Sequence, residues 1–326
     1  VIYPPFLKSG QTVGICAPSA GIADDKISSF ERSLGVLRAE GYRVTETSHV
    51  RVNNVVSADA ATRAAEWQSL VCDDSVNAVI AAAGGDFMME ILPYLDAECF
   101  RAHPKWMQGY SDVTNLLFPV TTLLDIATVY GPNAGGFDAY PSDYLRTNLD
   151  FLRGDIKPQN SYDFCAIERT FEPPFTEKVR YLVPNGDFSV TGRLLGGCLD
   201  CLAETVAGTR FDGTASFLRR YRDDGVIWYF DIFSLSSEQT ARALWRLAEY
   251  GWFDTAKAFL FGRVVFPSSF VDMSYTEAVL RVLGQKANIV LDADLGHRPP
   301  VMTLVNGALA SFTYDSGKAS LDTFFV

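Results

Sequence analysis

The chain has 326 residues, 48% hydrophobic and 21% charged, a profile that excludes a disordered or fibrous polypeptide. At roughly 150 residues per domain, this length implies two domains, each able to bury its own core. With 28 Lys+Arg against 39 Asp+Glu the net charge is −11, which repels phosphate backbones and anionic lipid and weighs against nucleic-acid or membrane partners.

The longest apolar runs, such as residues 78–83, fall far short of the roughly 18 residues a membrane span needs. Residues 1–10 carry two prolines and no long apolar core, so they do not read as a signal peptide. Six cysteines are too few for a disulfide scaffold, and most sit in apolar runs, so buried thiols in a reducing, cytoplasmic compartment are expected. Cys198-Leu-Asp-Cys201 matches C-x-x-C, yet no second pair completes a zinc site, and packing is its expected role. No metal or other cofactor is expected. Only three histidines exist, His49, His103 and His297, so a histidine-dependent mechanism has three candidates.

In chain order, residues 12–16 read as a strand, 24–40 as a helix stopped by Gly41, and 42–47 as a second strand. Ser57 is positioned to cap a helix running to Cys72. The unbroken apolar run 76–83 suits a strand buried on both faces of a parallel sheet, and it ends at Gly84-Gly85. A helix over 88–95, a strand over 106–110, a helix over 113–124 and a strand over 127–130 follow. This alternation predicts an α/β fold with an N-terminal open parallel sheet covered by helices. Residues 154–176, with Pro158, Pro173 and Pro174 and little periodicity, read as the connection between an N-terminal domain over 1–153 and a C-terminal domain over 177–326. The second half is mixed: strands over 178–183, 188–194, 226–230, 259–265, 289–291, 301–304 and 308–314, with helices over 199–207, 238–250 and 275–283.

The sharpest local feature is Gly109-Tyr110-Ser111-Asp112. A strand arrives, turns at Ser111, and a helix departs, which lifts the hydroxyl clear of the sheet and aims the next backbone N–H at its oxygen. Val113 stands where a G-x-S-x-G elbow has its second glycine, and a helix N-cap is the simpler alternative. Gly84-Gly85 ends the preceding buried strand, where glycines let backbone N–H groups approach a ligand; a tight turn is the alternative. A serine nucleophile needs a base. His297 lies in a Gly/Pro-rich loop after a strand, whereas His49 and His103 lie in polar, charged surroundings. Asp231 ends the apolar strand 226–230 and suits the acid that orients the base, with Glu238 as a nearby rival at a helix start.

These residues together resemble peptidase family S66, the serine L,D-carboxypeptidases, which include murein tetrapeptide carboxypeptidases and microcin C immunity peptidases. The resemblance begins with Leu7-Lys-Ser-Gly-Gln-Thr-Val-Gly-Ile-Cys-Ala-Pro-Ser19. It runs through Ala83-Gly-Gly-Asp86, Gly109-Tyr-Ser-Asp112, Leu195-Gly-Gly197, Trp228-Tyr-Phe-Asp231 and Gly296-His297. It implies a Ser-acid-His triad of Ser111, Asp231 and His297, an oxyanion hole from the N–H groups of Gly85 and Asp112, and substrate contacts at Gly84 and Tyr110. It further implies a C-terminal domain of mixed, barrel-like α/β form, a small peptide as substrate, and a homodimer. Three positions depart from the pattern. Asp231 stands where the family usually has Glu, Ala83 where murein-type members commonly have Arg, and Cys198 where Asn is frequent. The expected function is a cytoplasmic L,D-carboxypeptidase that releases a C-terminal D-residue from a small peptide such as a murein tetrapeptide. The alternatives are a microcin C immunity-type peptidase cleaving a peptidyl-nucleotide amide, and a non-catalytic small-molecule binding protein on the same scaffold.

Overall fold

The computed structural model describes residues 1–167, 173–284 and 287–326. The chain divides into two units, Val1–Ile156 and Lys157–Val326. In the first, five parallel strands, β1 (Thr12–Cys16), β2 (Arg43–Glu46), β3 (Ala78–Ala81), β4 (Trp106–Gly109) and β5 (Thr128–Tyr130), run in the order β5-β4-β3-β1-β2. Helices α1 (Ile27–Ala39), α2 (Ala60–Cys72), α3 (Ala97–Ala102), α4 (Thr114–Leu124) and α5 (Asp143–Leu152) connect or flank them. β1, β3 and β4 are buried along their whole length, which is why their sequence is continuously apolar rather than alternating. The strand order reverses direction of growth at β1, and such a switch point opens a crevice beyond the carboxyl ends of the neighbouring strands.

The second unit holds a mixed sheet in the order β12-β11-β10-β9-β14-β15-β6. Its strands are β6 (Gln159–Asn160), β9 (Phe188–Cys198), β10 (Val226–Asp231), β11 (Ala256–Gly262), β12 (Ile289–Ala293), β14 (Leu309–Asp315) and β15 (Lys318–Phe324). β9 to β12 are mutually parallel, whereas β14, β15 and β6 pair antiparallel. A small ladder of β7 (Phe164–Cys165) with β8 (Glu177–Lys178), and the short strand β13 (Leu304–Asn306), complete the set. Among the described residues its helices are α6 (Leu199–Cys201), continued by a wider turn over Leu202–Val206, then α7 (Thr214–Arg220), α8 (Ser237–Glu249) and α9 (Tyr275–Leu283). The core is aromatic. Trp228 stacks on Phe230 at 5.8 Å and on Trp252 at 5.4 Å, and each ring so buried contributes about 1.5–3 kcal/mol.

Several expectations change. Ser57 does not cap α2: its hydroxyl donates to the Ala17 carbonyl, and Asp59 caps the helix by accepting from the Thr62 N–H. Residues 88–94 form a 3-10 helix containing Pro93, which removes an N–H that an α-helix would use. Within 178–183, only Lys178 lies in a strand, and Leu182 makes a lone bridge to Leu291. The stretch 154–176 carries β6 and β7 despite its prolines, and residues 168–172 within it lie outside the described residues. Helix α5 and strand β15 carry clear amphipathic patterns that the chain-order reading passed over.

The cysteine expectation is corrected as well. Cys72 at the end of α2 and Cys99 in α3 are joined in a disulfide, their Cα atoms 5.9 Å apart, because the helix ends meet. Cys16, Cys165, Cys198 and Cys201 are not joined in disulfides. Among the described residues, no helix is long and apolar enough to cross a membrane.

Candidate active site

Three neighbouring strands of the first unit end at one place. β4 delivers Ser111, which has φ +64, a backbone conformation costly for a residue with a Cβ and typical of a nucleophile turn. Its N–H donates to the Tyr130 hydroxyl at 3.3 Å. β3 delivers Gly84 and Gly85. A Cβ on Gly84 would lie 3.1 Å from Ser111 Cβ and 3.2 Å from its Oγ, so the glycine sits directly against the serine. β1 delivers Ser19, and a Cβ on Gly85 would lie 2.2 Å from Ser19 Oγ, so only glycine fits. Tyr110 donates its N–H to Asn133 Oδ1 at 3.2 Å and stands edge-on to Tyr130.

Asp112 ties these ends together. Its Oδ2 accepts from the Ser19 hydroxyl at 2.5 Å and the Met88 N–H at 2.8 Å, and its Oδ1 accepts from Asn115 Nδ2 at 2.7 Å. Burial pushes its carboxyl above the usual range, and the three donors oppose that shift. Arg63, fully buried, donates to the carbonyls of Ala58, Pro18 and Phe87 and pairs with Glu90 at 2.5 Å, which fixes the loop that follows Gly85.

The second unit brings Asp231 and His297 together. Asp231 ends β10 fully buried, and its Oδ2 lies 2.6 Å from His297 Nδ1. That contact leaves Nε2 as the ring nitrogen for proton exchange. A Cβ on Gly296, at φ +91, would lie 2.2 Å from Asp231 Oδ1, so the loop passes the carboxylate only because this residue lacks a side chain. Phe233 packs on the imidazole, with ring centroids 4.6 Å apart. Asp200 in turn accepts from the N–H groups of Phe233 and Ser234 and from the Ser234 hydroxyl.

The other candidates lie elsewhere. Glu238 accepts from Ser269 Oγ and from the N–H groups of Phe270 and Val271, and the serine hydroxyl above all holds its carboxyl down at about 2. It organises the loop before α9. His49 pairs with Glu66 at 2.6 Å and His103 with Asp74 at 2.9 Å, both half-buried in the first unit. The buried Cys198 thiol is driven well above its ordinary value by its hydrogen bond to Cys201 and by burial, which keeps it a protonated packing group. No group of three or more His, Cys, Asp or Glu side chains among the described residues is arranged to hold a metal ion.

Ser19, Arg63, Asp200 and Phe233 line these groups although the sequence did not single them out. Ser19 and Asp200 stand inside quoted segments without a role assigned to them, and Arg63 and Phe233 carry no motif.

Comparison with known proteins places these features in context. The LD-carboxypeptidase N-terminal domain of peptidase family S66 matches residues 13–131, and the corresponding C-terminal domain matches residues 191–312. A Vibrio cholerae protein with a provisional carboxypeptidase name is 26% identical over 341 residues, covering 100% of this chain and 99% of its own. The microcin C7 self-immunity protein MccF of Escherichia coli is 24% identical over 97% of this chain and 94% of its own. Among solved structures, MccF with aspartyl sulfamoyl adenosine superimposes with a TM-score of 0.84 at 22% identity, covering both chains fully. A muramoyltetrapeptide carboxypeptidase from Oxalobacter formigenes gives 0.76 at 21% identity, over 97% of this chain and 99% of that one.

Proposed function

This chain belongs to the LD-carboxypeptidase family, peptidase S66, and from that premise we propose that it is a serine L,D-carboxypeptidase acting on a small peptide. The observation that carries the reading is the 2.6 Å contact of the buried Asp231 with His297 within the second unit; within the first, Ser111 is held at positive φ against Gly84. Ser111 Oγ attacks the scissile carbonyl carbon while His297 Nε2 takes its proton, and Asp231 stabilises the imidazolium through Nδ1. The N–H groups of Gly85 and Asp112 receive the developing oxyanion, each such donor worth about 10²–10³ in turnover. The tetrahedral species collapses, Nε2 returns the proton to the leaving amine, and water activated by the same nitrogen releases the acyl group. Asp231 stands where the family usually has the longer Glu, and its Oδ2 still lies 2.6 Å from His297 Nδ1.

The proposed substrate is a murein-type tetrapeptide ending in D-alanine. Ser111→Ala is expected to abolish D-alanine release, followed by mass spectrometry, with its melting temperature unchanged; full activity in that variant would refute the serine mechanism. A second reading, hydrolysis of a peptidyl-nucleotide amide, is supported by the MccF relative that spans 97% of the chain. Including an aminoacyl sulfamoyl adenosine in the same panel separates the two, and inertness toward both classes, with no phosphonate labelling of Ser111, would favour a non-catalytic binding protein. A homodimer is part of the proposal on family grounds, and sedimentation velocity tests it.

A further inference from the structure

Three adjacent parallel strands of the second unit, β10, β11 and β12, each contribute to one corner of the sheet. β10 supplies Asp231 and the loop after β12 supplies His297. The middle strand, β11, ends at Gly262 and is followed at once by Arg263, only 3% exposed. Its Nη1 donates to Asp294 Oδ1, and its Nη2 donates to the carbonyl oxygens of Arg298 at 2.6 Å and Pro300 at 2.7 Å. These three acceptors bracket His297 on both sides in sequence. Asp294 is held in its turn, because its Oδ2 accepts from the Tyr162 N–H at 2.9 Å and the Tyr181 hydroxyl at 2.7 Å.

A guanidinium is a rigid planar fork, so binding three acceptors of one loop sets both the position and the tilt of that loop. A buried ion pair is a poor route to stability, since apolar replacements of similar volume are often neutral or better. Its value here lies in geometry. The loop must pass Asp231 closely enough that a Cβ on Gly296 would collide with the carboxylate, and must still present the imidazole to Asp231 at 2.6 Å.

We propose that Arg263, through Asp294 and the carbonyls of Arg298 and Pro300, is the positioning residue that sets His297 for proton transfer. Arg263 acts on the backbone around the base and not on the substrate, and the proposal rests on the reading of His297 as the base.

Two variants test it. The double variant Arg263→Met with Asp294→Asn removes both buried charges at similar volume, so it keeps the fold while losing the clasp. Arg263→Lys keeps a cation facing Asp294, but an ammonium lacks the fork that reaches both carbonyls, and it decides the matter if the double variant fails to fold. The probe is a fluorophosphonate that labels Ser111, read as a maximal labelling rate and a half-saturating concentration. Alongside it, the imidazole proton spectrum is assigned by the signal missing in His297→Ala, which is practical with three histidines. The expected result is a cooperative melt, a maximal labelling rate reduced about 10²-fold at near-constant half-saturation, and a weakened downfield Nδ1 proton of His297. A lowered melting temperature with wild-type labelling and a wild-type imidazole spectrum would overturn the proposal and leave Arg263 as a stability element. Unimpaired labelling in His297→Ala would instead refute the base assignment, and the imidazole spectrum alone would then judge the clasp.

Discussion

At Gly296, the absence of a side chain decides whether an acid and a base can touch. The residue has φ +91, and a Cβ there would stand 2.2 Å from Asp231 Oδ1. Gly296→Ala must therefore displace either the carboxylate or the loop, in addition to a backbone cost of about 1–2 kcal/mol. Turnover is expected to fall about 10²-fold, the scale of a misplacement near 1 Å, with a smaller change in KM. Kinetics with a D-alanine-terminated peptide check it, and a kcat within twofold of wild type would show that the contact is dispensable. The same scale explains why the site was only partly legible. Ser111, Gly85 and His297 stand in segments whose turn and glycine chemistry is local. Arg263 and Arg63 act through carbonyls of distant segments, a relation that no spacing encodes.

Among the elements, the ends of parallel strands carry the candidate site residues. Ser19, Gly84 and Ser111 follow β1, β3 and β4; Asp231 ends β10, and Arg263 and His297 follow β11 and β12. Elements whose pattern is local were readable: α9 matches its expected span, 275–283, and has a capping box from Ser274 to Glu277. The 178–183 strand failed because its residues stay half-buried or exposed, and past Lys178 they meet strand β12 only through the single bridge of Leu182 to Leu291. Glu238 shows how a helix start organises a neighbour. Its carboxyl falls from an ordinary 4.5 to about 2, so its contribution to local order is fully present above pH 4.5 and is lost as the pH falls toward 2. Amide protection at Phe270 and Val271, read by hydrogen exchange, is expected to decline over that window. Glu238→Gln should remove this acid dependence, and a decline that persists in the variant would assign it to another group.

For the molecule as a whole, the first unit carries a constraint that composition did not suggest. The Cys72–Cys99 bond closes a segment of sequence separation 27 that contains β3 and the Gly84-Gly85 turn. Restricting the unfolded chain in this way is worth about 2–4 kcal/mol. Cys72→Ala with Cys99→Ala should lower the melting temperature, and reductant should lower it in the wild type but not in the double variant. Equal melting of wild type with and without reductant would show that the bond contributes nothing to stability.

The α/β class, the buried parallel strands and the turn bearing Ser111 were legible along the chain, because hydrophobic periodicity and the chemistry of Gly and Ser at turns act over a few residues. Of the three histidines, the family motifs singled out His297 as the candidate base. That Asp231 rather than Glu238 faces His297, that Cys72 meets Cys99, and that Arg263 grips the loop around His297 emerge only from the folded chain. Each of these is a pairing between residues at least 27 positions apart, with the Asp231–His297 partners 66 apart. Such partners are chosen by where strands end in three dimensions, and the pattern along the chain does not contain that information.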